Sequence, residues 1–72
     1  MMPITLKAAR MNKGYDQNKA SQLIGISVDT LSNYERGKTF PDVPIIKRIE
    51  EVYEIKYDDI NFLLENYDKI VK

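Results

Sequence analysis

The side chains able to do chemistry in these 72 residues are cations, carboxylates, amides and hydroxyls, because cysteine and histidine are both absent. The commonest catalytic bases and nucleophiles are thereby missing, and a disulfide staple and a structural zinc site are excluded with them. No paired-carboxylate site, glycine-rich phosphate loop or nucleophile constellation emerges along the chain. No enzyme activity, cofactor, metal or small-molecule ligand is therefore expected. The charged groups say more by placement than by total. Eleven basic and eleven acidic side chains cancel. Yet residues 1–40 hold six cations (Lys7, Arg10, Lys13, Lys19, Arg36 and Lys38) against only Asp16, Asp29 and Glu35. Residues 41–72 hold five cations against eight carboxylates. Neutrality is the sum of a basic half and an acidic half, so non-specific attraction to a polyanion is expected to be modest and to come from the first half.

Glycines and prolines mark the elements that must position these groups. Residues 6–13 are good helix formers, and Gly14 stands at their C-terminal stop. Asp16 is an N-cap for a second helix over residues 17–24, with Tyr15 and Ala20 spaced as a hydrophobic staple. Gly25 breaks that helix, Ser27 caps a third over residues 28–36, and Gly37 closes it. Residues 39–44 form a connector, since each proline disfavours helix in the residue before it. Pro44 suits the first turn of a fourth helix over residues 44–53, where Ile45, Ile46, Ile49, Val52 and Tyr53 fall at helical spacing. A fifth helix is expected to begin at Tyr57 or Asp58 and to carry Ile60, Phe62, Leu63 and Leu64. No alternating strand pattern is present, so the fold class is all-α: a compact five-helix cluster.

One domain over residues 1–64 is expected, followed by residues 65–72 as an extension of the last helix or a frayed tail. Its core should hold Leu6, Ala9, Ala20, Leu23, Ile26, Leu31, Ile45, Ile49, Val52 and Ile60, with Phe40 closing one edge. No apolar run approaches the ~20 residues needed to cross a bilayer, and the first residues lack the pattern of a secretory signal. A cytoplasmic location without membrane contact follows as the expectation.

The stretch from residue 17 to residue 37 is the informative one. Two helices of about two turns, joined by a short turn, make a helix-turn-helix arrangement. Ala20 and Ser21 are small enough for the second helix to cross the first. Gly25 tolerates positive φ in the turn, and Leu23, Ile26 and Leu31 supply the apolar clamp. The chain resembles the Cro/cI-type helix-turn-helix family of phage repressors and xenobiotic-response regulators. The residues that carry the resemblance are Arg10, Gln17, Gly25, Ile26, Ser27, Thr30, Tyr34, Glu35, Arg36, Gly37 and Pro41, and it covers roughly residues 4 to 64. The family's usual leucine–alanine pair in the second helix is here Ala20 and Ser21, which makes that contact smaller and more polar.

The resemblance implies five helices and binding to an inverted-repeat operator in duplex DNA as a homodimer, with the third helix in the major groove. Val28, Asp29, Ser32 and Asn33 would then face base edges. Asn33 can pair bidentately with adenine, Val28 can pack on a thymine methyl, and Asp29 can accept from a cytosine amino group. Asp29 is also favoured by the helix dipole alone, and its charge could act mainly against wrong sequences. Gln17 with its backbone N–H would hold a phosphate, and Asn18, Lys13, Lys19, Arg36 and Lys38 are further backbone contacts that position without reading sequence. The family match also implies a largely buried ion pair between Arg10 and Glu35, a feature of the fold rather than of the DNA contact.

Tyr57, Phe62, Leu63 and Leu64 offer more apolar surface than one short terminal helix buries, which points to a dimer face. A phage- or mobile-element-type repressor follows as the leading expectation. With no room for a sensing domain after the fifth helix, it would act by promoter occupancy. An antitoxin or anti-regulator that uses the same scaffold to bind a protein is the alternative.

Overall fold

The computed structural model describes residues 3–62, and most of these residues lie in four short helices whose N-termini are each closed by a side chain. Helix α1 spans Leu6–Asn12, α2 Gln17–Ile24, α3 Val28–Glu35 and α4 Val43–Tyr53. An oxygen of Thr5, Asp16, Ser27 or Asp42 accepts the backbone N–H three residues on, at 2.7–3.1 Å. Each cap satisfies one of the N–H groups that a helix start leaves without a partner, and substituting such a cap by alanine typically costs about 1 kcal/mol. The Asp16 and Ser27 caps fall where the sequence places them. Asp42 starts α4 one residue earlier than expected, with Pro44 still inside its first turn.

The fifth helix is corrected. Residues 57–59 make a single 3₁₀ turn, Tyr57–Asp59, and the chain then extends as a two-residue strand, Ile60–Asn61. This strand, β2, pairs in parallel with β1, Ile4–Thr5, in the register Ile4 to Ile60 and Thr5 to Asn61. The described fold is mostly helical as expected, with four helices and a short strand pair where a fifth helix was expected to begin. The physical reason is that Ile60 reaches the core from an extended backbone, and the backbone groups exposed there find partners at the other end of the chain. Of the residues expected in that helix, Leu63 and Leu64 lie outside the described residues, as do residues 65–72.

The core is built from Leu6, Ala9, Ala20, Ile24, Leu31, Ile49, Tyr53 and Ile60, with Ile26, Ile45 and Val52 packed against it. Leu23 is a second correction: it is 43% exposed, and Ile24 is fully buried in its stead. The buried stripe of α2 runs through Ala20, Ser21 and Ile24, so Leu23 falls on the flank of the helix. Tyr53, expected only on the helix stripe, is buried as deeply as Ala9. Phe40 lies at an edge as expected, but 46% exposed and against aromatic rings rather than over the core.

Candidate nucleic-acid interface

Helix α2 and helix α3 meet across a three-residue turn whose geometry begins at Gly25. This residue sits at φ +90°, in the left-handed region, and its N–H donates to the Ser21 carbonyl at 2.8 Å. The Ile26 N–H donates to the same carbonyl at 3.0 Å, so α2 stops abruptly and Ser27 can cap the next helix. Ser21 is buried at the crossing, and its hydroxyl donates to the Asn18 carbonyl at 3.0 Å. The small, polar contact expected between the helices is therefore internally satisfied.

Along α3, Leu31 is fully buried and Tyr34 packs on the core. Asp29, Ser32 and Asn33 fall at helical spacings away from Leu31 and Tyr34, and Val28, three residues before Leu31, borders the same face. Asp29 is exposed, and the other three are partly covered. The Ser27 hydroxyl also donates to the Thr30 hydroxyl at 2.8 Å, which ties the first turn of α3 to its cap.

Beside this face lies an open groove lined by Lys7, Arg10, Gln17, Ser32, Glu35, Arg36 and Lys38. Its floor is an ion pair. Arg10 Nε donates to Glu35 Oε2 at 2.7 Å and Nη2 to Oε1 at 3.3 Å, with the side chains only 9% and 5% exposed. The remaining Arg10 nitrogen, Nη1, donates to the Tyr15 carbonyl at 2.9 Å. Gln17 Nε2 donates to Glu35 Oε1 at 3.1 Å. Helices α1, α2 and α3 are thus joined at one carboxylate, and the hydrogen bond and charge of Glu35 hold the Arg10 guanidinium even more firmly protonated than usual. Arg10 and Glu35 are thus an ion pair largely withdrawn from solvent.

The groove gathers three of the residues expected to hold phosphate: Gln17, Arg36 and Lys38. It adds Lys7, which the sequence reading did not single out. The signal was there, because Lys7 and Arg10 are three residues apart and share a face of α1. Asn18 and Lys19 are exposed on the first turn of α2 and do not line the groove. Lys13 does not line it either: its ammonium is bound by Glu54 at 2.7 Å, beyond the end of α4. That contact raises the Lys13 ammonium above its ordinary range and lowers the Glu54 carboxyl below its own.

Of the expected dimer face, Tyr57 and Phe62 stand together with Phe40 in an aromatic cluster, with ring centroids 5.0–6.5 Å apart. Such pairs prefer tilted and edge-to-face arrangements. Tyr57 and Phe40 remain 40% and 46% exposed. Among the described residues no helix is long and apolar enough to cross a membrane.

Two short helices joined through a left-handed glycine, with a polar outward face on the second and a cation-lined groove beside it, define a helix-turn-helix domain. The model of the helix-turn-helix family matches residues 6–60, and the chain belongs to this Cro/cI-type family. It is similar to the HTH-type transcriptional regulator ImmR of Bacillus subtilis, 36% identical over 53 residues, which are 74% of this chain and 42% of that protein. It is similar to the uncharacterized HTH-type transcriptional regulator YazB of Bacillus subtilis, 36% identical over 55 residues, covering 76% of this chain and 80% of that protein. It is also similar to the SPbeta prophage-derived uncharacterized regulator YonR of Bacillus subtilis, 32% identical over 60 residues, covering 83% of this chain and 53% of that protein. The chain thus spans about half or less of the length of ImmR and YonR. No solved structure matches it.

Proposed function

We propose that this chain is a sequence-specific, double-stranded DNA-binding transcriptional regulator that inserts α3 into the major groove. The observation that carries the reading is the face of α3 with the polar Asp29, Ser32 and Asn33 and, at its border, Val28, set beside a groove of cations. Base edges in the major groove present donors, acceptors and methyl groups that this mixture of side chains matches. The groove supplies the other half of the contact. Lys7, Arg36 and Lys38 are placed to neutralise phosphates, with Asn18 and Lys19 exposed on the adjacent turn of α2. Gln17 contributes its backbone N–H, because its side-chain amide is already committed to Glu35. Lys13 joins only by leaving Glu54.

The regulator acts as a homodimer on an inverted repeat, with Tyr57, Phe62 and Phe40 at the contact between copies. Half-buried aromatic rings suit such a face. Repression by promoter occupancy, in a phage or mobile element, is the finer form of this reading, and the likeness to a prophage-derived regulator supports it.

Selection of bound sequences from a random duplex library, followed by affinity measurements at several salt concentrations, tests the proposal. An inverted repeat with half-sites about one helical turn apart, and affinity that falls steeply with salt, is the expected result. Negligible affinity for duplex DNA at every salt concentration would overturn it in favour of a protein-interaction module such as an antitoxin or anti-regulator.

A further inference from the structure

The last carbonyl of α2 needs a partner that the helix itself does not provide. The N–H groups of Gly25 and Ile26 both turn back to the Ser21 carbonyl, and neither serves the carbonyl of Ile24. That oxygen instead accepts from Arg48 Nη1, 3.1 Å away, across from the middle of α4. The guanidinium is a cation at the C-terminal end of α2, where the aligned peptide dipoles favour positive charge. It also occupies the space beside the turn. A Cβ added at Gly25 would stand 2.7 Å from Arg48 Nη1.

The direction in which α3 leaves α2 is set by the residues between Ile24 and Ser27, and Arg48 grips the first of them. We infer that Arg48 is a positioning residue for the recognition helix, holding the helix-turn-helix turn from α4 without touching a base. The inference rests on the reading of α3 as the DNA-reading helix. It assigns α4 a role beyond its buried contacts through Ile49 and Tyr53: its exposed flank braces the angle between α2 and α3. It also couples Gly25 to Arg48, because a Cβ at that position would meet the mobile end of the arginine side chain. An alanine there would push the guanidinium off the Ile24 carbonyl, so the two positions should act as one unit.

The test uses the full chain, the duplex selected by the wild-type chain from a random library, and a scrambled duplex of the same composition. Arg48→Met is expected to weaken binding to the selected duplex about tenfold, the loss set by one charge-assisted hydrogen bond, and binding to the scrambled duplex less than about twofold. Where Arg48→Met does not fold by circular dichroism, Arg48→Lys is read instead. That variant keeps the charge with a shorter reach, and it is expected to lose about threefold on the selected duplex only. Gly25→Ala is then measured in both backgrounds: it should cost severalfold more affinity in the wild type than beside Arg48→Met, where no guanidinium remains to displace.

Equal losses on both duplexes would make Arg48 an ordinary phosphate contact and overturn the inference. No loss on either duplex, or independent multiplicative effects of the two substitutions, would overturn it as well. A wild-type chain that selects no sequence would instead refute the DNA-binding reading itself, so the two failures are distinguishable.

Discussion

Removing Glu35 should leave the domain close to unfolding. Its carboxylate accepts from Arg10 through both oxygens and from Gln17, with side-chain exposures of 9% for Arg10 and 5% for Glu35. Glu35→Ala leaves the Arg10 guanidinium in that setting with only the Tyr15 carbonyl. Breaking a buried pair in this way costs about 3–5 kcal/mol, because one charge stays buried without its partner. A chain of this length has a total stability of roughly 4–11 kcal/mol at about 0.05–0.15 kcal/mol per residue. The loss is thus more than a quarter of the total. With about 4–8 °C of melting temperature per kcal/mol for a domain of this size, the variant should melt at least about 12 °C below wild type. Arg10→Ala should behave alike. Replacing both residues, as Arg10→Met with Glu35→Leu, should restore much of the loss, since no charge is then left buried. Thermal melts followed by circular dichroism give all four values. A single variant melting within a few degrees of wild type, or a double variant worse than both singles, would refute the reasoning.

Four further expectations rest on other parts of the molecule. Among the described residues the Tyr53 hydroxyl has no hydrogen-bond partner, and burial raises its pKa well above the ordinary phenol range. Tyr53→Phe should therefore raise stability by about 1 kcal/mol; a lower melting temperature would reveal a partner for that hydroxyl. Asn33→Ala should cost on the order of 1–3 kcal/mol on the selected duplex and relax preference at one base position. Lys7→Ala and Lys38→Ala should weaken all sequences alike and flatten the salt slope; the reverse pattern in a library selection would show that α3 is oriented differently. The ion pair between Lys13 and Glu54 should give a pH-dependent stability. Glu54 is held below its ordinary value of 4.5, so the contribution is present above that pH and is lost as pH falls through the lowered value. The difference in melting temperature between wild type and Glu54→Gln should accordingly shrink in acid, and a constant difference would show that the pair contributes nothing.

Much of the candidate interface was legible along the chain because its determinants are local. Asp16 and Ser27 cap helices that begin one residue later, and Gly25 ends α2 by a conformation that its lack of a side chain permits. These signals place α2, the turn and α3, and the one- and four-residue spacings place Val28, Asp29, Ser32 and Asn33 on one face. The pairing of Arg10 with Glu35 was legible only through family resemblance, since 25 residues separate them. Leu23 and Ile24 show the limit of the local signal: two adjacent aliphatic residues give the same pattern, and only packing against α4 and α3 decides which one turns inward.

What the amino-acid sequence by itself determined is the set of short capped helices, the helix-turn-helix register and the concentration of cations in the first half. The caps and the stop at Gly25 depend on residues within a turn of one another, and the cation bias is a property of composition along the chain. What the tertiary structure alone decided involves residues far apart in the chain. Ile60 extends rather than coils because Ile4 offers its strand a partner. Lys7 and Lys38 line one groove because α1 and α3 are drawn together at the carboxylate of Glu35. Arg48 finds the Ile24 carbonyl from 24 residues away. Hydrogen-bond partners and buried space at such separations exist only once the helices have packed, and no local propensity encodes them.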